Sequence, residues 1–183
     1  MFRDRTIVLA VTGGIAAYKS AVLARELKSA GAEVLVIMTR DSKEFVSPLT
    51  FETLTQNPVA VEMFDRENKW SLEHIALADR ADTLIIAPAT ANIIGKSACG
   101  IADDLVSTTI LTMMSSIPIL MAPAMNNRMW ENPVVRKNVE SLRQIGVHFE
   151  GPCEGKLADG RSGMGRMAEI KDILKHADTL LKR

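Results

Sequence analysis

Cross-links and contacts to charged polymers are what this sequence is least equipped to make. Its two cysteines, Cys99 and Cys153, lie far apart and show neither CxxC nor zinc-ligand spacing, so neither a disulfide framework nor a structural metal is indicated. Formal net charge is zero, with 22 basic and 22 acidic residues scattered along the chain, which leaves no basic stripe for nucleic acid or an anionic membrane. The longest apolar runs fall well short of the roughly 20 residues a membrane helix needs, and the N-terminus carries no signal-peptide pattern. A cytoplasmic protein is the expectation. No internal repeat or low-complexity linker is visible. With 183 residues, 47% of them apolar, the chain suits one domain over 1–183 with a sizeable core, and small molecules are its expected ligands.

What is present is a series of short apolar runs: Thr6 to Val11, Val34 to Met38, Thr83 to Ala87 and Ile117 to Met121, with a weaker one at Val147-His148-Phe149. None alternates polar with apolar, so each fits a strand covered on both faces, as in a parallel sheet between helical layers. Helical patterns fill the gaps. One runs from about Ile15 to Ala30 and stops at Gly31; others start at Ser47-Pro48 and Asn132-Pro133, where a capping side chain precedes proline. Near the C-terminus Ile170, Ile173, Leu174, Ala177 and Leu181 share one helical face. The alternation predicts an α/β fold, a three-layer doubly wound parallel sheet, Rossmann-like or flavodoxin-like. Residues 151–167 carry five glycines among Lys156, Arg161 and Arg166 without periodicity, which predicts a mobile, structureless loop able to fold over a ligand.

In such a sheet the carboxyl ends of the strands share one crevice, and here three of them carry ligand-like sequences. After the first strand, Thr12-Gly13-Gly14-Ile15 leads straight into a helix, so main-chain N–H groups and the positive helix end face an anion. The turn lacks GxGxxG, and the second strand ends in Met38-Thr39-Arg40 where an NAD site wants an acidic residue. A mononucleotide phosphate fits better. Arg40 leaves an NADP reading open, and a tight turn without a ligand is the plain alternative. The third strand ends in Ala87-Pro88-Ala89-Thr90-Ala91-Asn92, small enough for a planar ring to approach the backbone; Ala102 to Thr108 carries Asp103 and Asp104, which helix capping alone would also explain. The fourth is followed by Pro123 to Trp130, where the Asn126 amide can donate to a carboxylate beside an apolar wall of Met125, Met129 and Trp130. His74 follows Ser71, a capping residue, so it falls in a first helical turn whose positive end favours a neutral imidazole able to take a proton. His148 and His176 fit surface or core roles.

These residues resemble the flavin-dependent cysteine decarboxylases, and the likeness covers nearly the whole chain. It is carried by Gly13 to Lys19, Glu73-His74-Ile75, Ala87 to Asn92, Ala102 to Thr108, the PxMNxxMW run Pro123 to Trp130, and Gly163-Met164-Gly165-Arg166-Met167. The chain is most similar to the branch serving coenzyme A synthesis, which decarboxylates 4′-phosphopantothenoylcysteine. The resemblance implies bound FMN, its phosphate near Thr12, Gly13, Gly14 and Ile15, a contact at Thr39, and its ring against Ala87, Pro88, Ala89, Thr90 and Ala124. It further implies His74 as catalytic acid/base, Asn126 as the grip on the substrate carboxylate, a substrate flap over 151–167, and trimers, often four to a dodecamer. Met129, Lys156 and Arg166 are then expected to contact the substrate, the cations meeting its phosphate.

The chemistry explains why such a family needs these parts. Direct loss of carbon dioxide from a cysteine unit leaves an unstabilised carbanion. Oxidation of its CH₂–SH to a thioaldehyde places C=S beta to the carboxylate, so the departing pair settles on sulfur as an enethiolate, and reduction then gives the saturated aminothiol. The coenzyme A branch carries a cysteine proton donor in the flap, in a Leu-Ala-Cys-Gly context. Here the run is Leu157-Ala158-Asp159-Gly160. Asp159 serves as donor if a closed flap raises its pKa from about 4 toward neutrality; otherwise Cys153 reaches in, or the enzyme releases an enethiol from another cysteine substrate. A flavin-binding regulatory subunit without turnover is the non-enzymatic reading.

Overall fold

The apolar runs lie side by side. In the computed structural model, which describes residues 1–63, 73–158 and 160–182 (of Glu73 and His74 the main chain only), β1 (Thr6–Val11) pairs in parallel with β2 (Glu33–Met38) on one side and β4 (Thr83–Ala89) on the other. A two-residue strand β3 (Val59–Ala60) extends the β2 edge; β5 (Ile119–Pro123) and β6 (His148–Phe149) extend the other, giving the order β3-β2-β1-β4-β5-β6. That is the Rossmann order, and without the short β3 it becomes the flavodoxin order. The order reverses between β1 and β4.

Alternation along each strand shows why the runs are apolar throughout. Ile7, Leu9 and Val11 enter one core while Val8 and Ala10 enter the other, and β2 and β5 divide the same way. The first core is covered by α1 (Ala17–Ser29), α2 (Pro48–Thr55) and α8 (Ile170–Leu181). The second is covered by α3 (Glu73–Arg80), α4 (Ala91–Cys99), α5 (Leu105–Met113), the one-turn α6 (Asn127–Trp130) and α7 (Pro133–Gln144). Ser47 and Asn132 cap α2 and α7 by accepting from Leu49 and Val134 N–H, each ahead of proline, as their sequences predict. None of the described helices is long and apolar enough to cross a membrane.

Two expectations change. The fourth apolar run pairs two residues later than its composition suggests, because Pro118 has no N–H to give; its carbonyl instead accepts from Leu84 N–H and Thr83 Oγ1, and the strand continues through Pro123. The segment 151–167 contains an antiparallel hairpin, β7 (Cys153–Lys156) with β8 (Ser162–Arg166). It lacks the alternating apolar face that signals a strand because what it packs closely is backbone: a side chain at Gly165 would start 2.1 Å from the Met125 carbonyl oxygen.

Candidate active site at the strand ends

A cleft of about 1260 Å³ opens over the carboxyl ends of β1, β2, β4 and β5. Its floor is the turn from β1 into α1. Thr12, 2% exposed, donates from Oγ1 to the Pro88 carbonyl at 2.7 Å and accepts from Thr90 N–H at 3.3 Å, tying the two strands at the point where their order reverses. Gly13 must be glycine, since a Cβ there would lie 2.5 Å from Asp41 Cβ, whereas a Cβ on Gly14 would meet only Thr90 Cγ2, at 3.7 Å. No side chain caps α1 at Ala16; the Ala17 and Lys19 N–H groups donate to the Gly14 and Ala16 carbonyls, each at 2.9 Å, so an anion at this end would meet the amides of the turn before them.

Beyond β2, a 3-10 turn over Arg40–Glu44 carries Asp41 across Gly13. Thr39 lines the cleft, and its Oγ1 is buried without a hydrogen-bond partner, the condition expected of a group that completes its bonding on a ligand. Arg40 lines the cleft as well. Its guanidinium donates to both oxygens of Glu62, at 2.6 to 3.0 Å, and hydrogen bonding to Glu62 raises its pKa further, so a carboxylate occupies it where the NADP reading wants a 2′-phosphate.

At the end of β4 the expected contacts separate. Ala87, Pro88 and Ala89 are buried in the strand and do not line the cleft; the Ala87 carbonyl accepts from Ser20 Oγ at 2.5 Å. Thr90 does line it, while its Oγ1 accepts from Ile93 N–H as the cap of α4. On the same wall Lys96 donates to Asp103 at 2.6 Å and Asp104 at 3.0 Å. Burial alone would lower the Lys96 pKa, but the hydrogen bonds to the two carboxylates outweigh it and the net direction is up; the Lys96 bond holds Asp103 below its usual value. Asp104 also forms a capping box with Ser107 at the start of α5.

The opposite wall follows β5. Ala124, Asn126 and Met129 line the cleft, as do Lys156 and Arg166 of the hairpin. Asn126 Oδ1 accepts from Arg128 N–H at 2.9 Å as the cap of α6, which fixes the orientation of the amide. Arg166 pairs with Glu169, and its buried Nε has no partner. Lys19 of α1 also lines the cleft, reaching the Met167 carbonyl at 3.5 Å. Trp130, expected in the wall, instead packs in the second core with Arg136 over its ring.

His74 lies on α3, but its side chain, Ser71 and Asp159 fall outside the described residues. Cys153 packs against the first core and is not among the cleft-lining residues, which counts against its reaching in as a donor. His148 and His176 meet edge to face, with His176 Nδ1 2.8 Å from Glu150, away from the cleft. Asp41 and Lys96 are cleft residues that the sequence reading passed over, and Lys19 entered it only as the end of the Gly13 to Lys19 run. Helical spacing placed Lys19 one turn after Ile15, but Lys96 meets its carboxylates only because α4 and α5 turn back on each other.

Comparison with known proteins fits this geometry. The Flavoprotein family matches residues 1–182. The coenzyme A biosynthesis bifunctional protein CoaBC of Bacillus subtilis is 47% identical over 178 residues, 97% of this chain, and the chain spans 43% of that relative's length. A probable phosphopantothenoylcysteine decarboxylase of Streptococcus mutans is 38% identical over 97% of this chain and 99% of its own. Among solved structures, a PPC decarboxylase variant complexed with pantothenoylaminoethenethiol superposes with a TM-score of 0.87 at 32% identity, covering 99% of this chain and all of the other. The FMN-dependent cysteine decarboxylase SpaF gives 0.85 at 27% identity, with full coverage of both chains.

Proposed function

The chain belongs to the Flavoprotein family, and from that premise we propose that it is an FMN-dependent phosphopantothenoylcysteine decarboxylase, converting 4′-phosphopantothenoylcysteine to 4′-phosphopantetheine in coenzyme A synthesis. The observation that carries the reading is a single cleft with two differently equipped walls: the Gly13-Gly14 turn, Thr39 and Thr90 on one, Asn126, Lys156 and Arg166 on the other. A pocket for one small ligand runs to about 1,000 Å³. At about 1260 Å³, this one has room for a cofactor and a substrate together.

The residues present suit a flavin mononucleotide. The uncapped start of α1 and the open side of Gly14 take the phosphate, and the unsatisfied Thr39 hydroxyl gains a partner. When bound, FMN supplies the oxidation that places C=S beta to the carboxylate, and the matching reduction after carbon dioxide leaves. The protein groups position and protonate. Asn126 donates to the carboxylate, Met125 and Met129 limit its solvation, and Lys156 and Arg166 meet the phosphate. His74 takes the thiol proton, and Asp159 returns one to carbon. Homotrimers or dodecamers in the cytoplasm belong to the same proposal, supported by Ile15 and Tyr18, which stand 60% and 57% exposed at the cleft.

Asp159 in place of the family's flap cysteine favours a second reading, oxidative decarboxylation that ends at an enethiol. Incubating the FMN-loaded protein with 4′-phosphopantothenoylcysteine and weighing the product separates the two. Saturated 4′-phosphopantetheine is expected; an enethiol supports the second reading, and unchanged substrate overturns both.

A further inference from the structure

We propose that Gly165 is the positioning residue for Asn126, so that the hairpin and the carboxylate-gripping amide are set as one unit. The inference rests on the reading of Asn126 given above. Asn126 sits between the end of β5 and α6, and its two sides are held differently. On the C-terminal side its carbonyl accepts from Met129 and Trp130 N–H at 3.0 Å, and its side chain caps α6. On the N-terminal side Met125 N–H donates to the Gly165 carbonyl at 3.0 Å. The Met125 carbonyl belongs to the peptide bond that joins Met125 to Asn126, and its oxygen lies where a Cβ of residue 165 would be, 2.1 Å away.

Any side chain at 165 therefore displaces that peptide, because the contact must open by close to 1 Å before it reaches the shortest separation real Cβ atoms show. Gly163 grips the other flank, where a Cβ would lie 3.2 Å from Asn127 Cβ. The two glycines straddle Asn126. From the same hairpin, Leu157 N–H donates to the Arg161 carbonyl at 2.7 Å, and Lys156 and Arg166 line the cleft. The groups assigned to the phosphate and to the carboxylate thus share one rigid base, while the proposed FMN cradle is built from other strand ends. This division accounts for the glycines at 163 and 165 in a segment with no apolar face.

The test is Gly165→Ala in the FMN-loaded protein, compared with Asn126→Ala, the double variant, and Gly95→Ala as a control for glycine replacement on α4. FMN affinity and absorption spectrum should stay at parent values in Gly165→Ala, while kcat/KM for 4′-phosphopantothenoylcysteine falls about a hundredfold, the effect of a displacement near 1 Å at a positioning group. The double variant should lose no more than Asn126→Ala alone, since the two changes act through one group. Parent kcat/KM in Gly165→Ala, or losses that multiply in the double variant, overturns the proposal. If Gly165→Ala fails to hold FMN, the comparison passes to Gly163→Ala, whose neighbour is a side chain, and unchanged kcat/KM there overturns it. Full activity in Asn126→Ala instead defeats the underlying reading of Asn126 and is told apart by that variant alone.

Discussion

Thr12 and Thr90, 78 residues apart in sequence, bring their hydroxyl oxygens to 3.3 Å across the crevice between β1 and β4. The contact joins the first strand-to-helix turn to the cap of α4, so both lips of the cleft are set by one pair of hydroxyls. In an open parallel sheet this is where the helices diverge to opposite faces and a ligand gains access.

Thr12→Val keeps the shape and removes the donor, leaving the Pro88 carbonyl buried without its partner. We expect a loss of about 1–3 kcal/mol, the usual cost of orphaning a buried polar group. Thermal unfolding reads the stability, and FMN titration should show weaker binding. An unchanged melting temperature would mean that water replaces the hydroxyl.

Gly13→Ala drives a methyl into Asp41. Overpacking of this kind costs about 1–3 kcal/mol, and if it falls on the cradle, FMN binds between about fivefold and about a hundredfold more weakly. Asp41→Gly in the same chain removes the nearest obstacle and should restore part of the affinity. Equilibrium titration followed by flavin fluorescence measures both.

Lys96→Met removes the cation between Asp103 and Asp104, and its effect should depend on pH. The Asp103 pKa is depressed below its ordinary 3.8, so its pairing contributes stability above that value and loses it as pH falls through the lower, folded-state pKa. The Lys96 pKa is raised above 10.5, so its share is present below that value and lost as pH rises through the higher one. Melting temperature measured from acid to neutral pH should therefore converge for parent and variant at the acid end and separate toward neutrality. A constant separation would show that the side chain matters for packing alone.

Asp159→Asn keeps the size of the side chain and removes its acid. If Asp159 returns the proton to carbon, the variant should still consume 4′-phosphopantothenoylcysteine but release an enethiol in place of saturated product. Saturated product at the parent rate would rule Asp159 out as the donor. Mass analysis of the reaction distinguishes the two.

Continuous hydrophobicity in four short runs determined a parallel sheet buried on both faces, because only a strand between two helical layers leaves no position for a polar side chain. Ser47-Pro48 and Asn132-Pro133 determined two helix starts, since capping is a local bond between a side chain and an amide two residues on. The Gly13-Gly14 turn, Thr90 and Asn126 were legible as cleft residues for a similar reason, since strand ends in such a sheet open on one crevice, while Thr39 entered only through the family resemblance. Tertiary structure alone decided the rest. The sequence read Gly151 to Met167 as loop because its close contact is between backbones, and no periodicity records a surface that buries main chain. Lys96 could not be matched with Asp103 and Asp104 until α4 and α5 folded back on one another. Ala87, Pro88 and Ala89 sit inside the sheet while Thr90 faces the cleft, because β4 runs through Ala89 and Thr90 is the first residue past its end. Local bonds and burial patterns are written along a chain; which backbone presses on which is settled only when the layers close.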